Sequence, residues 1–235
     1  IQAVTSQTQP ISKYVERTGS TNDDLMAFTG IGSHISTSWQ DSGRGRRNRK
    51  WFSIEGSYAG SWIIAEGSNI NPGLIQLAGG LAVLNSINDA RLELKWPNDI
   101  FINGRKCGGV LCESKVSSNF IHSMVIGIGL NINETETDFP EPLRDKSTSL
   151  SIATGHSNQR ELVCAIITTF FERAMEDLKT NIKLWENYCS HMDDLVSFNH
   201  GNSKNKGTFK GINQHGHAMI DMKDEVHVFP SIRLK

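Results

Sequence analysis

No apolar stretch approaches the ~20 residues that a bilayer-spanning helix needs, so no membrane span or membrane partner is expected. Cysteine is scarce: Cys107, Cys112, Cys164 and Cys189 are too few and too scattered for a disulfide scaffold. No pair has C-x-x-C spacing, which speaks against zinc and thioredoxin-like chemistry, and no metal-ligating set is expected. Neither positive nor negative charge is in excess. Lys and Arg total 24 against 25 Asp and Glu, a formal net charge of -1. That balance gives no global attraction to nucleic acid or an anionic membrane, so any such binding would need a local patch. No repeat or low-complexity segment is present, which excludes solenoids and propellers. The first ten residues, IQAVTSQTQP, have neither a basic n-region nor an apolar h-region. No signal peptide is expected, and a cytoplasmic, reducing location is. The first residue is Ile rather than Met, so upstream residues are compatible with this sequence.

What is present suits a globular protein. In 235 residues, 37 % are hydrophobic, enough to fill a core. Three stretches read as helices. Ser20-Thr21-Asn22-Asp23-Asp24 resembles an N-cap with an acidic first turn leading into Leu25-Met26-Ala27-Phe28. From Gly73 to Ala90, Leu74, Leu77, Leu81, Leu84 and Ile87 recur at spacings of three and four. From Gln159 to Leu178 the stripe is Leu162, Ile166, Phe170, Ala174 and Leu178. Strands are expected at 35–39, 61–65, 109–113 and 124–128, and Asn103-Gly104 predicts a tight hairpin. Helices and strands mix without strict βαβ alternation, which favours α+β over a doubly wound sheet. From about Asp193 helical periodicity stops and short strands at 207–212, 218–222 and 226–229 follow. They predict a small β-barrel at 191–235 behind a larger domain at 1–190, and the barrel boundary falls near His191.

Three segments carry candidate chemistry. The first is 40–51, Gln40-Asp41-Ser42-Gly43-Arg44-Gly45-Arg46-Arg47-Asn48-Arg49-Lys50-Trp51. A solvated basic loop is one reading. Close backbone approach at glycine, planar arginine forks for carboxylate or phosphate, and a stacking face at Trp51 favour an anion site. It is no dinucleotide fingerprint, since Asn48 stands where a third glycine is needed, and the chain has no P-loop. The second is Lys95-Trp96-Pro97-Asn98-Asp99-Ile100, with the hairpin that presents Lys106 ahead of Gly108-Gly109. The third is Ile126-Gly127-Ile128-Gly129-Leu130-Asn131-Ile132-Asn133. Its glycines are expected to mark a bulge, and Asn131 and Asn133 share a face able to meet a polar ligand.

Five ordered motifs resemble those of biotin protein ligases. They are S-T-N at 20–22, Q-x-x-G-R-G-R-R-x-R-K-W at 40–51, K-W-P-N-D at 95–99, K-x-x-G-x-L-x-E at 106–113 and G-x-G-x-N at 127–131. The likeness runs from about Glu16 to the C-terminus, where Gly211-Ile212-Asn213-x-x-Gly216 and Ile232-Arg233-Leu234 resemble the family's SH3-like barrel. It implies a class II synthetase-like mixed sheet with flanking helices. One departure stands out: the family usually has glycine at the position of Asn48, although Asn tolerates left-handed backbone better than most residues.

The resemblance implies ATP and Mg2+ as co-substrate and ion and biotin as substrate. Biotin's carboxylate would attack the α-phosphate to give biotinyl-5'-AMP and pyrophosphate. A lysine amine of a biotin carboxyl carrier domain of acetyl-CoA carboxylase would then take the biotin and release AMP. It implies Lys106 and Arg44 as catalytic. Ser20, Thr21, Asn22, Gln40, Gly43, Arg44, Gly45, Arg46, Lys106 and Gly109 would hold biotin. Arg46, Arg49, Trp51, Asn98, Asp99, Lys106 and Asn131 would hold the nucleotide. Residues 44–50 are expected to order only over an anionic ligand. Other readings are a lipoate or octanoate ligase, a biotin-responsive repressor lacking its DNA-binding domain, and a catalytically dead biotin-binding module. Intact Lys106 and Arg44 weigh against the last. No nucleic-acid partner is expected through the visible chain. A homodimer is compatible with the family, but no interface is legible.

Overall fold

The computed structural model describes residues 10–28, 30–67, 71–87, 89, 91–117, 120–201, 203–223 and 225–234. In chain order the elements begin with β1 (Ser12–Thr18), α1 (Thr21–Met26), β2 (His34–Gln40), β3 (Arg44–Gly45), β4 (Arg49–Lys50), β5 (Ser57–Gly67) and α2 (Pro72–Ile87). Next come β6 (Leu92–Lys95), β7 (Asp99–Ile102), β8 (Arg105–Ser117), β9 (Phe120–Asn131), α3 (Leu150–Thr154), α4 (Arg160–Glu176) and α5 (Asn181–Asn187). The last are β10 (Leu195–His200), β11 (Ser203–Ile212), β12 (Ala218–Asp221), β13 (Val226–Phe229) and β14 (Arg233–Leu234). The chain forms two compact units, Ile1–Ile70 with Cys107–Cys164 and Asn71–Lys106 with Ala165–Lys235.

The first unit is a mixed sheet in the order β1-β2-β5-β9-β8. β1 runs parallel to β2, while β2 with β5, β5 with β9, and β8 with β9 are antiparallel. The expected α+β class is therefore present, and the sheet is not doubly wound. In β9 alternation does the sorting. Ile126, Ile128 and Leu130 point to one face, each at most 1 % exposed. Gly127 and Gly129 point to the other. The expected bulge is absent here: Gly127 pairs with Ser61 and Leu111, and Gly129 with Ala59 and Gly109, in unbroken register. On the glycine face α1 closes a small core in which Leu25 meets Ile35, Ile63 and Val125.

The second unit holds α2, which is buried nearly all round, from Leu74 and Ile75 through Leu77 to Leu84. Gly80 lets it close on Leu94 and Trp185. The expected helix to Ala90 ends at Ile87, and positions 88 and 90 lie outside the described residues. In α4 the buried residues are Ile167 and Phe171, one position on from the expected stripe, and Leu162 is 53 % exposed. Val163, Ile167 and Phe171 form an apolar row beside Leu162, Ile166 and Phe170, so spacing alone does not choose between them. The C-terminal strands make a five-stranded antiparallel sheet, β13-β12-β11-β10-β14. Phe198, Phe209, Ile220 and Leu234 fill its core. No described helix is long and apolar enough to cross a membrane.

Candidate active site

The first unit gathers most of the 20–51 candidates. Ser20 sits at the N-cap position of α1, but its side chain makes no cap bond. Gln40 takes that role from β2: its Oε1 accepts from the Thr21 backbone N–H at 2.9 Å and lies 3.2 Å from Thr21 Oγ1. The helix is thus pinned by a neighbouring strand, where the sequence suggested a local serine cap. Ser61, fully buried on β5, has Oγ 2.7 Å from Thr21 Oγ1 and 2.6 Å from Asn22 Oδ1. Asn22 Nδ2 donates to Glu113 Oε2 at 2.7 Å. Arg44 reaches the same carboxylate at 3.3 Å and forks onto Asp23 at 2.6 Å through both Nη atoms. These bonds hold the Asp23 carboxyl below its usual range and raise the Arg44 guanidinium above its own.

The glycines make room for this network. A Cβ on Gly127 would collide with Asn22 Oδ1, and one on Gly129 would lie 2.6 Å from the Trp51 ring. Gly43 has the same logic, since a Cβ there would sit 2.9 Å from the Trp51 carbonyl oxygen. The G-x-G of β9 is a cleared strip of sheet on which Asn22 and Trp51 lie. The basic segment itself is a short hairpin, β3 paired with β4 across one turn of 3₁₀ helix at Arg46–Asn48. Arg47 and Asn48 both have positive φ, 58° and 56°. Asn48 thus adopts the left-handed backbone that glycine would supply. Arg47 and Arg49 are exposed, Arg46 and Trp51 half-buried. Arg49 Nε donates to the Arg46 carbonyl at 3.3 Å. Gly45 is half-buried on β3, and Gly109 is half-buried on β8.

Asn131 and Asn133 are engaged with backbone. Asn131 Nδ2 donates to the Thr148 carbonyl at 2.9 Å, and Asn133 brackets Asn158 through both ends of its amide. Just beyond, Glu134 is 2 % exposed; one carboxylate oxygen accepts from the Ser57 hydroxyl, and Oε2 has no partner among the described residues. Burial pushes this carboxyl up to about 7.

In the second unit Lys106 forms an ion pair with Asp99. The turn expected at Asn103-Gly104 is present, with φ of 51° and 72°, and it brings β8 back so that Lys106 meets Asp99. Asn98 is half-buried beside Asp99 in sequence. Trp96 is buried and its indole N–H donates to the Gly216 carbonyl at 3.0 Å. No group of three or more acidic, His or Cys side chains able to hold a metal occurs among the described residues. Mg2+ bound mainly through nucleotide phosphates needs only one or two carboxylates, and Asp99 fits that lesser demand.

Sequence reasoning did not single out Ser61, Asp23 or Glu113 as site residues. Glu113 closes the K-x-x-G-x-L-x-E motif and Asp23 follows S-T-N, so both had a local signal. Ser61 had none.

A mixed sheet with one face cleared by glycines, carrying a polar network and an arginine-rich hairpin, defines an α+β domain whose side chains have the chemistry to meet an anionic, hydrogen-bonding ligand. Known proteins narrow the class. Residues 14–131 match the model of the biotin/lipoate A/B protein ligase family. The bifunctional ligase/repressor BirA of Bacillus subtilis is 32 % identical over 210 residues, covering 83 % of this chain and 63 % of that protein. The chain therefore spans a little under two thirds of that relative. The biotin–[acetyl-CoA-carboxylase] ligase of Paracoccus denitrificans is 27 % identical over 219 residues, 87 % of this chain and 91 % of its own. The biotin protein ligase of Aquifex aeolicus, solved with biotin and ATP, superposes with a TM-score of 0.81 at 25 % identity, covering 96 % of this chain and 98 % of that one. The chain belongs to the biotin/lipoate A/B protein ligase family.

Proposed function

We propose that this chain is a biotin–[biotin carboxyl carrier protein] ligase. It joins biotin's carboxylate to the α-phosphate of ATP, releasing pyrophosphate, and then passes biotin from the adenylate to a lysine amine of a carrier domain of acetyl-CoA carboxylase, releasing AMP. The observation that carries the substrate choice is the Ser61–Thr21–Gln40 and Ser61–Asn22 network on the Gly127 strip. A ureido head offers both donors and acceptors to such a network, whereas the dithiolane of lipoate has no strong donor or acceptor to match it. Mismatches of that kind are worth factors of roughly 10^4.

The first step brings an anion to a polyanion, so positioning and charge neutralisation dominate. Lys106 is assigned to the oxygens shared by biotin carboxylate and α-phosphate, and Arg44 and Arg46 to carboxyl and phosphate groups. Before it acts, Lys106 must exchange Asp99 for the ligand. Arg49, Asn98 and Asp99 are assigned to the polyphosphate and nucleotide side, Trp51 to the adenine face, and Asn131 to holding the loop behind the nucleotide. Ser20, Thr21, Asn22 and Gln40 take biotin's head, with Gly43, Gly45 and Gly109 as close-approach positions. Asp99 would help to hold nucleotide-bound Mg2+, which would supply charge neutralisation on the pyrophosphate side. Residues 44–50 close over the adenylate and shield it from water.

The finer architecture belongs to the same proposal: a class II synthetase-like catalytic domain over 1–190 and an SH3-like barrel over 191–235. A cytoplasmic location follows from the expected carrier partner, and self-association as a homodimer is compatible with it. The test is pyrophosphate exchange into ATP with Mg2+, comparing biotin, lipoate and octanoate. Exchange with biotin alone is expected. Exchange with lipoate or octanoate moves the chain to the sister activity, and no exchange makes it a binding module.

A further inference from the structure

We propose that Asp23 and Glu113 are positioning residues that set Arg44 for adenylation; the inference rests on the function proposed above. Three elements meet on one guanidinium: Asp23 from the first turn of α1, Arg44 from β3 and Glu113 from β8. Asp23 accepts from Nη1 and Nη2 at 2.6 Å each, and both Glu113 oxygens lie 3.3 Å from Nη2. A guanidinium has five N–H groups. The clamp uses three, and two remain for a carboxylate or phosphate.

Arg44 needs such a clamp. It sits on a two-residue strand beside Arg46, Arg47, Arg49 and Lys50, whose like charges favour dispersal of the side chains. A free arginine samples many rotamers, and a ligand would have to overcome the entropy lost in fixing one. The carboxylates remove that cost before the ligand arrives. Glu113 also ties Arg44 to the head-group network, because its Oε2 accepts from Asn22. One carboxylate thus fixes the arginine and the amide on the same frame.

Plain electrostatics and positioning predict opposite signs. Two carboxylates against one arginine disfavour an incoming anion, so removing a negative charge would tighten biotin binding if charge alone mattered. If positioning matters, Asp23→Asn breaks the fork and weakens it. Steady-state pyrophosphate exchange should show the KM for biotin rising about tenfold with kcat nearly unchanged, as expected when the competent orientation falls to about a tenth. Asp23→Glu should restore most of the loss, and Glu113→Gln should raise KM in the same direction. In an Arg44→Lys background, which lacks the fork, Asp23→Asn should add nothing further. A KM that stays level or falls in both Asp23→Asn and Glu113→Gln overturns the inference, as does an undiminished effect in the Arg44→Lys background. If Asp23→Asn does not fold, Glu113→Gln and Asp23→Glu carry the same test. Wild-type protein showing no biotin-dependent exchange would instead defeat the proposed function itself.

Discussion

The polar network around Asn22 and the Lys106–Asp99 pair differ in how their groups are held. In the network Ser61, Thr21, Gln40, Asn22, Glu113, Arg44 and Asp23 form one continuous set of hydrogen bonds on a strip that two glycines keep clear. Lys106 by contrast lies in a direct ion pair with the carboxylate of Asp99. The first arrangement suits an unchanging head group that must be matched donor for acceptor, since an unpaired buried polar group costs more than a made bond gains. The second suits a cation that must change partners as charge develops. Network members should therefore show up in affinity, and Lys106 in rate.

The largest expected effect tests that division at its strongest point. Lys106→Ala should cut kcat for pyrophosphate exchange by about 10^3-fold, the loss typical of one preorganised charge stabiliser. Circular dichroism and the melting temperature should change little. Normal exchange in that variant would remove Lys106 from the chemistry.

Glu134 offers the counter-case, a buried carboxylate with one oxygen unpartnered among the described residues. Its carboxyl is raised by burial to about 7 from an ordinary 4.5. The folded state thus binds this proton more tightly than the unfolded chain does. The corresponding stability is complete below pH ~4.5 and is lost as pH rises to about 7, a total of about 3 kcal/mol. Glu134→Gln should match wild type near pH 4.5 and exceed it above pH 7, read as denaturant midpoints across pH. Equal midpoints at every pH would show that the carboxyl titrates normally.

A glycine substitution probes the network from below. Gly129→Ala places a methyl 2.6 Å from the Trp51 ring, so the indole must move. Overpacking of this kind costs about 1–3 kcal/mol. The expected signature is a raised KM for ATP with a smaller change for biotin, because Trp51 is assigned to adenine. A selective rise for biotin would reassign Trp51.

How much of this was legible in the sequence varied with the physical origin of each feature. The α2 helix and the Asn103-Gly104 turn follow from local spacing and local backbone preference, and both are present. Asn48 in a left-handed conformation was legible for the same reason. The buried face of α4 was shifted by one residue because two neighbouring rows are both apolar, and only tertiary packing chooses between them. The glycines at 127 and 129 were legible as special but not as cleared floor. Their purpose lies in Asn22 and Trp51, side chains brought in from remote segments. Glu113 bonds Asn22 across 91 positions, a distance over which no periodicity speaks.

Ser61 is the extreme case of that blindness and gives the smallest, sharpest test. It stands in an ordinary strand sequence, Gly60-Ser61-Trp62, with nothing to distinguish it from a buried filler. Yet its one hydroxyl proton faces two acceptors, Thr21 Oγ1 at 2.7 Å and Asn22 Oδ1 at 2.6 Å, and it can satisfy only one at a time. Ser61→Ala removes that donor without adding bulk. The loss should be about 1 kcal/mol, seen as a KM for biotin raised about fivefold at unchanged kcat. Ser61→Thr, which keeps the hydroxyl but adds a methyl, separates bonding from space. Recovery of KM in Thr would assign the effect to the bond, whereas a further rise would assign it to crowding against α1. An unchanged KM in Ser61→Ala would mean that the head group is fixed by Gln40 and Asn22 alone, and the network's continuity would then serve folding rather than recognition.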